Sequence, residues 1–431
     1  MKRYDSYKDS GVKWLGEIPS HWDSASLLYL LRAKISDGPH ETPNLIEDGI
    51  PFISIDSLND TKEIDFSVVK KFISYKDYER YCYKTKLEKG DVLFSKAATI
   101  GKTAIVGDGV FMVWSPLAIL KPNLDKISSL YLYYIMNCKK AIEEVSLSGS
   151  KNTQINVGMR ELEKIRIPIP SIEEQSKITY FLENETSKID EAIAQQQKMI
   201  DLLNERKQII INNAVTKGLN TNVPMKVSGV DWIGEIPEHW EIKRGKFLFD
   251  IINEYSSTGE EELLTVSDRT GITPRSMKNV TMFMAESLVG YKKCKIGDIC
   301  SNIMWMWHGA VGVTKYDGVI SPSYGVYRQK KLYYNGDYLD MLLRLPQLIK
   351  FYASRSTGLT ESRLRLYPDD FLNICFFVPP MEEQEMIVNR LKTICKPIES
   401  AIDAATQQIS LLQERKQIII NDVVTGKVKV V

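Results

Sequence analysis

The sequence predicts a mixed α/β protein built as a tandem repeat: two α/β domains separated by a long antiparallel helical coiled coil, with approximate twofold symmetry. Two repeated segments and one periodic pattern carry this prediction. Residues 11–22 return as residues 229–240 with nine of twelve positions identical, and residues 202–212 return as residues 411–421. Because the repeat is domain-sized, it indicates a tandem duplication rather than a solenoid. The repeat runs from residue 11 to the end of the sequence, so the two chain ends are expected to lie close together.

The composition fits ordinary globular domains. The chain has 431 residues, of which 43% are apolar and 26% charged, and its net charge of +1 does not by itself announce a nucleic-acid partner. None of the six cysteines forms a C-x-x-C pair, so reduced thiols are expected. No apolar run approaches the ~18 residues that span a bilayer, which predicts a cytoplasmic protein without membrane contact.

The first half contains the elements of a mixed α/β domain. Short β-branched and aromatic runs bounded by Gly, Asp and Pro predict strands at residues 51–55, 90–95 and 109–114. Apolar spacing over residues 129–145 predicts a helix.

The second half keeps this frame only at a few anchor positions. Residues 89–92 correspond to 296–299, Ser115-Pro116 to Ser321-Pro322, and Tyr131-Leu132 to Tyr338-Leu339. Between the anchors the two halves share little sequence. This favours two domains of the same architecture that each recognise a different thing. The tryptophans that recur in both halves are predicted to be structural: Trp14, Trp22, Trp232 and Trp240.

Each half ends in a helical segment with an a/d pattern of apolar residues. The two seams are predicted to bury each other, and the positions expected to form the spacer and partner-binding helices are Ile189, Ile193, Ile200, Leu203, Ile398, Ile402, Ile409 and Leu412. Because proline is tolerated in a first helical turn but breaks an interior, Pro397 predicts a short helix from Met381 to Cys395 before a longer one.

Motifs for catalysis are missing from the sequence. There is no G-x-x-x-x-G-K-[ST], G-x-G-x-x-G, H-E-x-x-H or G-x-S-x-G, and the scattered histidines and cysteines do not suggest a tetrahedral metal site. The chain is therefore expected to catalyse nothing by itself.

Three repeated motifs together resemble the specificity subunit of type I restriction-modification systems. They are the Trp-x-Gly-Glu-Ile-Pro-x-His-Trp element, the run at residues 168–175 with its echo at 378–384, and the Glu-Arg-Lys-Gln-Ile-Ile-Ile segments. The resemblance covers essentially the full chain in the order globular, helix, globular, helix.

This resemblance implies a domain plan and a set of partners. Residues 1–169 and 219–378 would be target recognition domains, each reading one half of a split, asymmetric site in double-stranded DNA. Residues 170–218 and 379–431 would be spacer helices on which two methyltransferase subunits dock, with restriction (translocase) subunits joining through them. No cofactor is expected on this chain, since S-adenosylmethionine, ATP and Mg²⁺ would belong to the partners.

Candidate DNA contacts follow from residue chemistry on loops. Phosphates need Lys, Arg or backbone donors, and base edges need Arg, Lys, Asn, Gln or Ser. For each candidate the alternative is a solvated loop charge; the candidates are His40, Thr42, Lys96, Lys102, Ser150, Lys151, Asn152, Gln154, Arg269, Arg275, Arg355, Thr360 and Arg363. Trp305 and Trp307 suit either stacking on a splayed base or core packing, and the sequence favours core packing.

Two other classes of protein compete with this interpretation. A scaffold that pairs two copies of a partner without reading sequence would explain the repeat but not the divergence of the globular halves. A fused nuclease or methyltransferase would need motifs that the sequence lacks.

Overall fold

The computed structural model of the chain describes residues 2–59, 61–149, 155–220, 222–278, 287–358, 360 and 364–430. It divides into two compact units. The first unit consists of Met1–Gln197 with Thr406–Val431, and the second of Lys198–Ala405. Both long helices therefore contribute residues to both units.

The helices follow the predicted order, with one long helix after each globular part, and the globular parts themselves contain only short helices. They are α1 Leu27–Leu30, α2 Tyr75–Cys82, α3 Ser129–Met136, α4 Lys139–Leu147, α5 Met159–Lys164, α6 Ile172–Lys217, α7 Gly245–Leu248, α8 Gly336–Leu343, α9 Pro346–Arg355, α10 Pro368–Asn373 and α11 Met381–Val424.

The strands are short, and most belong to small antiparallel sheets. In the first unit they are β1 Tyr7–Asp9, β2 Glu17–Pro19, β3 Asp23–Ser26, β4 Ser36–Asp37, β5 Leu45–Ile46, β6 Ile50–Ile53, β7 Phe72–Ile73, β8 Val92–Ser95, β9 Thr103–Ile105, β10 Met112–Val113, β11 Leu117–Leu120 and β12 Arg166–Ile169. In the second unit they are β13 Met225–Val227, β14 Glu235–Pro237, β15 Glu241–Arg244, β16 Phe249–Ile251, β17 Leu264–Ser267, β18 Gly271–Pro274, β19 Lys292–Cys294, β20 Ile299–Ser301, β21 Val311–Val313, β22 Gly318–Ile320, β23 Gly325–Gln329 and β24 Cys375–Val378.

Each unit contains a four-stranded antiparallel sheet of the same connectivity. The order is β4-β11-β8-β9 in the first unit and β16-β23-β20-β21 in the second. The registers also correspond, since Val92 lies opposite Leu120 and its counterpart Ile299 lies opposite Tyr327. The small ladders β1-β2 and β3-β12 likewise have counterparts in β13-β14 and β15-β24. The duplication predicted from the sequence is therefore present in the fold.

The units differ in the strands outside this shared frame. The first unit adds a sheet in the order β10-β6-β7-β5, in which β10 and β6 are parallel. The second has two separate ladders, β17-β18 and β19-β22. Divergence is thus concentrated in one part of each unit.

A buried aspartate before the central strand is common to both units. Asp91 accepts a hydrogen bond from the Glu88 N–H at 2.9 Å, and Asp298 accepts one from the Lys295 N–H at 2.8 Å. Both carboxylates are also paired with cations, Asp91 with Arg32 and Lys121, and Asp298 with Arg328. A buried charge is tolerated only with such partners, so the Gly-Asp anchors are structural.

The repeated His-Trp pair docks on the start of each long helix. The indole Nε1 of Trp22 donates to Glu174 Oε2 at 3.0 Å, and that of Trp240 donates to Glu383 Oε2 at 3.0 Å. Both indoles are fully buried. The structural role predicted for Trp22 and Trp240 is therefore confirmed.

The tyrosine of each Tyr-Leu anchor binds the end of the other long helix. The hydroxyl of Tyr131 donates to the Val424 carbonyl at 3.1 Å in the first unit, and that of Tyr338 donates to the Val215 carbonyl at 2.7 Å in the second. Helix ends leave such carbonyls without intrahelical partners. Each globular part thus holds the beginning of one long helix and the end of the other.

The long helices run antiparallel within each unit. In the first unit Lys416 of α11 binds Asp190 of α6 at 2.7 Å, and the chain ends meet where the Lys429 N–H donates to the Lys2 carbonyl. In the second unit Lys207 of α6 pairs with Glu399 of α11. The antiparallel coiled coil and the proximity of the chain ends were predicted correctly.

The predicted seam residues are only partly covered. Ile189 is buried, whereas Ile193, Ile200, Leu203, Ile398, Ile402, Ile409 and Leu412 are half-buried. A two-helix seam cannot enclose side chains as a globular core does. Contact of these residues with partner subunits stays a prediction.

Two helix predictions are wrong. Helix α11 is continuous from Met381 to Val424 with Pro397 inside it. Because Pro397 is exposed, solvent can satisfy the carbonyl of Thr393 that loses its N–H partner. The helix predicted over residues 129–145 is interrupted before Lys139, where buried Cys138 adopts an extended conformation and its thiol donates to Asn421 Oδ1.

Candidate nucleic-acid interface

A buried ion pair lies under the first predicted loop of the first unit. Lys96 Nζ is 3.1 Å from Asp37 Oδ2, and both side chains are 8% exposed. Lys96 was predicted to contact DNA from an exposed loop; that exposure is wrong, because the side chain is drawn inward to neutralise Asp37. Among the described residues Asp37 Oδ2 has ion-pair contacts but no hydrogen bond of good geometry.

The loop above this pair is open to solvent and borders a cleft. His40 and Thr42 are exposed, and His40 Nε2 lies 3.0 Å from Asp37 Oδ2. A cavity of about 590 Å³ is lined here by Glu41 of the loop, by Arg80 of α2 and by Lys84 just after α2, among other residues. Arg80 binds Glu41 at 2.7 Å. Cationic and hydrogen-bonding groups beside a cleft suit contact with phosphates or base edges.

The turn between β8 and β9 lies beside this cleft's buried pair. The Lys102 N–H donates to Ser95 Oγ, and the Lys102 side chain is half-buried. The Val157 N–H donates to the Lys96 carbonyl at 2.9 Å, so the chain after α4 returns to this turn. Four predicted contacts of that connection lie outside the described residues: Ser150, Lys151, Asn152 and Gln154.

In the second unit a hairpin tip presents a predicted arginine. Strands β17 and β18 pair up to Ser267 and Gly271, and Arg269 between them is exposed. Arg344 donates to the carbonyls of Asp268, at 2.5 Å, and Arg269, at 3.1 Å. The guanidinium of Arg344 therefore holds the backbone of the hairpin tip in place.

His308 ties this hairpin tip to the turn between β20 and β21. Its Nδ1 lies 3.1 Å from Asp268 Oδ2. Partial burial acts to raise the pKa of Asp268, but hydrogen bonds from the Arg269 N–H and the Ser267 hydroxyl, together with His308, outweigh it and lower the pKa. The carboxylate is therefore ionised where it orders the tip.

The same turn exposes an aromatic surface. Trp305 is 53% exposed and stacks on Trp307 with ring centroids 6.0 Å apart and an interplanar angle of 20°. The core packing favoured for Trp305 is wrong, because it is the neighbouring Met306 that is fully buried. Within the short 3₁₀ turn Met306–His308 only Met306 is buried, and Trp307 is half-buried.

The remaining candidates of the second unit are less closely grouped. Arg355 is exposed at the end of α9 and lies over the Phe351 ring at 5.0 Å. Thr360 is exposed and Arg275 is half-buried. Arg363 lies outside the described residues. The chain after α9 returns to the β20–β21 turn, where the Leu366 N–H donates to the Ile303 carbonyl at 3.0 Å.

The two units therefore build a corresponding loop cluster from different residues. In each, the turn after the central strand binds the chain that follows α4 or α9, through Lys96 and Val157 in one and Ile303 and Leu366 in the other. The first cluster carries a buried Lys-Asp pair and a cleft, and the second carries an aromatic stack and a braced arginine.

Neither a metal-ligand cluster nor a membrane span is found among the described residues. No group of three or more His, Cys, Asp or Glu side chains within the described ranges is arranged to hold a metal ion. Across the same part of the chain, no helix combines the length and apolarity needed to cross a bilayer.

Comparison with known proteins gives consistent matches. Residues 41–200 match the family model of the type I restriction modification DNA specificity domain. The chain is 27% identical to the putative type I restriction enzyme MjaX specificity subunit of Methanocaldococcus jannaschii, with 98% of each chain covered. It is 25% identical to the MjaVIII specificity subunit of the same organism, over 89% of this chain and 87% of that one.

The fold has a counterpart among solved structures. A chain from a study of complex assembly and conformational transition of the type I R-M system superposes with a TM-score of 0.65 at 17% identity, covering 95% of this chain and 99% of that chain. At this identity the match concerns the fold, and it agrees with the mixed α/β class predicted.

These matches place a DNA specificity domain of restriction systems within residues 41–200. Along most of its length the chain is similar to type I restriction specificity subunits, and the resemblance found in the sequence is confirmed. Specificity subunits are the non-catalytic, DNA-recognising components of these systems, in agreement with the expectation that the chain is not itself an enzyme.

Proposed function

We propose that the chain is the sequence-reading subunit of a type I restriction-modification complex and binds a bipartite, asymmetric site in double-stranded DNA. The observation that carries this proposal is the shared frame of the two units with different exposed loops at corresponding places. Structural parts of a duplicated protein stay alike when both copies do the same work, whereas reading surfaces diverge when each copy meets a different sequence.

Each unit would read one half-site with its loop cluster. In the first unit we assign contact to the loop of His40 and Thr42 and to the cleft beside it, with Lys96 holding that loop through Asp37. In the second unit we assign contact to Arg269 at the braced hairpin tip and to the neighbouring β20–β21 turn. Arginine and lysine on such loops reach guanine edges and phosphates.

Two methyltransferase subunits would dock on the long helices. Both helices expose the same stripe at i, i+3, i+4 and i+7: Leu202, Glu205, Arg206 and Ile209 on α6, and Leu411, Glu414, Arg415 and Ile418 on α11. The four apolar members are 51–61% exposed. Repeated exposed apolar side chains on otherwise charged helix faces mark protein interaction sites, and an identical pair of stripes suits two copies of one partner.

The rest of the proposed complex follows from the family. The restriction subunits would join through the methyltransferase subunits, and S-adenosylmethionine, ATP and Mg²⁺ would be bound by these partners rather than by this chain. A cytoplasmic location is part of the same proposal.

DNA reading is tested with the chain and its methyltransferase partner together. The site is first located by mapping methylated positions in cells that carry both proteins, and binding is then measured on duplexes with that site or with its bases scrambled. At one salt concentration we expect a preference of roughly 10³-fold or more for the site. Equal affinity would instead favour the scaffold that pairs partners without reading sequence.

A single-residue variant separates base reading from phosphate contact. Arg269→Ala should relax discrimination at one position of one half-site by roughly 1–3 kcal/mol if Arg269 reads a base. A uniform loss on all duplexes, with a smaller salt dependence, would make it a phosphate contact. Arg3→Ala, an exposed arginine outside the loop clusters, is the matched control.

Docking is tested by stoichiometry. The double variant Leu202→Glu with Ile209→Glu should reduce the number of bound methyltransferase subunits from two to one. The double variant Leu411→Glu with Ile418→Glu should do the same. The fourfold variant should bind none, as measured by native mass spectrometry. The control, Gln195→Glu with Gln407→Glu at exposed positions of the same helices, should still bind two methyltransferase subunits. If the fourfold variant also bound two, docking on the two stripes would be refuted.

A further inference from the structure

The aromatic stack of the second unit is a rigid platform. The Trp305 N–H donates to the Asn302 carbonyl at 2.9 Å, and the Trp305 carbonyl accepts from the His308 and Ala310 N–H groups at 3.0 and 3.1 Å. Below it, the Trp307 Nε1 donates to the Met304 carbonyl at 2.9 Å. Gly309 closes the turn with a positive φ of 96°, a conformation that favours glycine. Trp305 is thus ordered before any ligand arrives.

The position of this platform points to a nucleic-acid ligand. Its edge is formed by His308, which packs edge-on against both indoles at 5.9 and 5.5 Å and reaches the hairpin tip through Asp268. Arg269 at that tip is exposed, and Arg344 lies directly beneath it. An exposed indole, joined through His308 and Asp268 to a hairpin tip that carries an exposed arginine, complements the apolar face of a base next to its phosphate.

The platform belongs to one unit only. The corresponding turn of the first unit, between Ser95 and Thr103, reads Lys-Ala-Ala-Thr-Ile-Gly-Lys and contains no aromatic residue. The correspondence of the turns follows from the matching registers of β8 and β20 against their neighbouring strands. Whatever the platform binds is therefore bound at one half of the site.

We propose that Trp305 stacks on an unstacked base at one step of the half-site read by the second unit. This rests on the proposed DNA-reading function and names a specificity-determining residue within it. The indole acts as an apolar wedge: it fills the space opened between two base pairs while Arg269 holds the adjacent backbone or base edge. Wedge insertion is easiest at pyrimidine–purine steps, because these unstack and kink readily. Trp305 thus selects sequence through deformability rather than through hydrogen bonds.

The test uses the chain with its methyltransferase partner and a duplex carrying the mapped site, in which 2-aminopurine replaces one base at a time. Apart from the bases that the methyltransferase itself extrudes for modification, we expect in the wild-type complex a fluorescence increase at one step of a single half-site. Trp305→Ala should abolish that increase and weaken binding roughly 5- to 150-fold. Trp305→Phe, which keeps an aromatic face, should restore most of both. Tyr83→Ala, which removes a 93% exposed ring from the first unit, should change neither.

The outcomes separate this inference from the broader proposal. If the wild-type complex does not prefer the mapped site, the DNA-reading function itself fails. If it does prefer the site but Trp305→Ala binds with unchanged affinity and unchanged fluorescence, only the wedge is overturned. If the variant loses a methyltransferase subunit while the DNA signal of the remaining complex persists, the platform is a protein-docking surface and the inference is wrong.

Discussion

One buried glutamine in each unit joins the globular part to the start of a long helix, Gln175 in α6 and Gln384 in α11. Gln175 accepts a hydrogen bond from the Ser128 N–H and donates to the carbonyls of Lys126 and Pro170. Gln384 does the same with the Asn335 N–H and the carbonyls of Tyr333 and Pro379. Both side chains are completely buried. One amide therefore satisfies three backbone groups at the junction, which explains why this residue recurs when the surrounding loops do not.

Replacing either glutamine with methionine should loosen one junction. Methionine has a similar length but leaves buried backbone groups without partners, so we expect a loss of about 2–4 kcal/mol in the stability of the affected unit. Hydrogen–deuterium exchange should show faster exchange in the first unit for Gln175→Met and in the second for Gln384→Met. Gln195→Met, at an exposed position of α6, is the control, and an equal effect of all three variants would contradict the role of the amides.

The glycines that end the long helices differ in what surrounds them. Gly218 and Gly426 both have φ of +74°, as expected just after a helix end. A Cβ at Gly218 would lie 2.6 Å from Oε1 of Glu383, the end of a flexible side chain, whereas a Cβ at Gly426 would overlap the Pro19 ring and lie 3.0 Å from Trp22. The same repeat position is thus more tightly enclosed in the first unit.

Alanine at these two glycines should therefore have unequal effects. Gly218→Ala should destabilise by about 1–2 kcal/mol, mainly through backbone strain, because only the end of the Glu383 side chain must shift. Gly426→Ala should destabilise by about 2–4 kcal/mol, because the rigid Pro19 ring must also move. Urea denaturation, monitored by hydrogen-exchange mass spectrometry, measures the free energy of unfolding of both variants. Gly107→Ala, where an added Cβ meets nothing within 4 Å, should change little; a Gly218→Ala effect as large as that of Gly426→Ala would show that the ring is not the obstacle.

At the residue level the sequence predicted the structural motifs better than the reading surface. The His-Trp and Glu-Gln residues could be found because the duplication repeats them. Lys96 and Trp305 have no counterpart in the other half of the duplication. The sequence therefore could not show that Lys96 is the buried partner of Asp37, or that Trp305 is exposed rather than part of the core. Met306, between the two tryptophans, is buried by tertiary packing, which the alternation of Met and Trp in the sequence does not predict.

Among the elements, α11 shows how context overrides a local rule. A proline inside a helix removes one hydrogen bond and crowds the preceding turn. Here the helix continues because apolar contacts hold it on both sides of Pro397: Leu391 and Cys395 belong to the core of the second unit before it, and Ala405 is buried after it. The helical periodicity was a better guide than the single breaker.

Pro397→Ala should consequently stabilise the second unit. The new N–H can bond to the carbonyl of Thr393, and alanine is the best helix former, so we expect a gain of about 1–2 kcal/mol after the greater freedom of the unfolded chain is subtracted. Amide exchange of residues 393–401 should slow. Ser400→Ala, at an exposed position one turn later, is the control for propensity alone; a loss of stability on Pro397→Ala would mean that the proline is required for the path of α11.

For the whole molecule, repetition made the architecture predictable. The repeated segments coincide with the parts that join each globular region to the long helices, and they recover the antiparallel pairing and the meeting of the chain ends. The loop clusters could not be derived in this way, because they are the parts in which the two units differ. The predicted domain limits and the DNA and partner contacts stay predictions.

The spacer hypothesis makes a prediction that involves both units and both helices. If the long helices set the distance between the half-sites, one extra heptad in each helix should increase the gap between them while leaving both half-site sequences unchanged. The insertion points are between Gln197 and Lys198 in α6 and between Ala405 and Thr406 in α11, the two places where the chain passes from one unit to the other. A heptad preserves the a/d order of both seams and adds about 10 Å of helix, close to three base-pair steps of ~3.4 Å.

Mapping methylated positions in cells that carry the variant and its methyltransferase measures the gap directly. Four residues inserted near Gln195 in α6 alone serve as the comparison, because they add about 6 Å to one helix but shift its seam against the other. We expect the paired heptads to move the gap and retain methylation, and the single insertion to lose methylation or to give a weak, poorly defined gap. An unchanged gap with the paired heptads would show that the helices do not determine half-site spacing, and a change in either half-site sequence would show that reading and spacing are not separable in this protein.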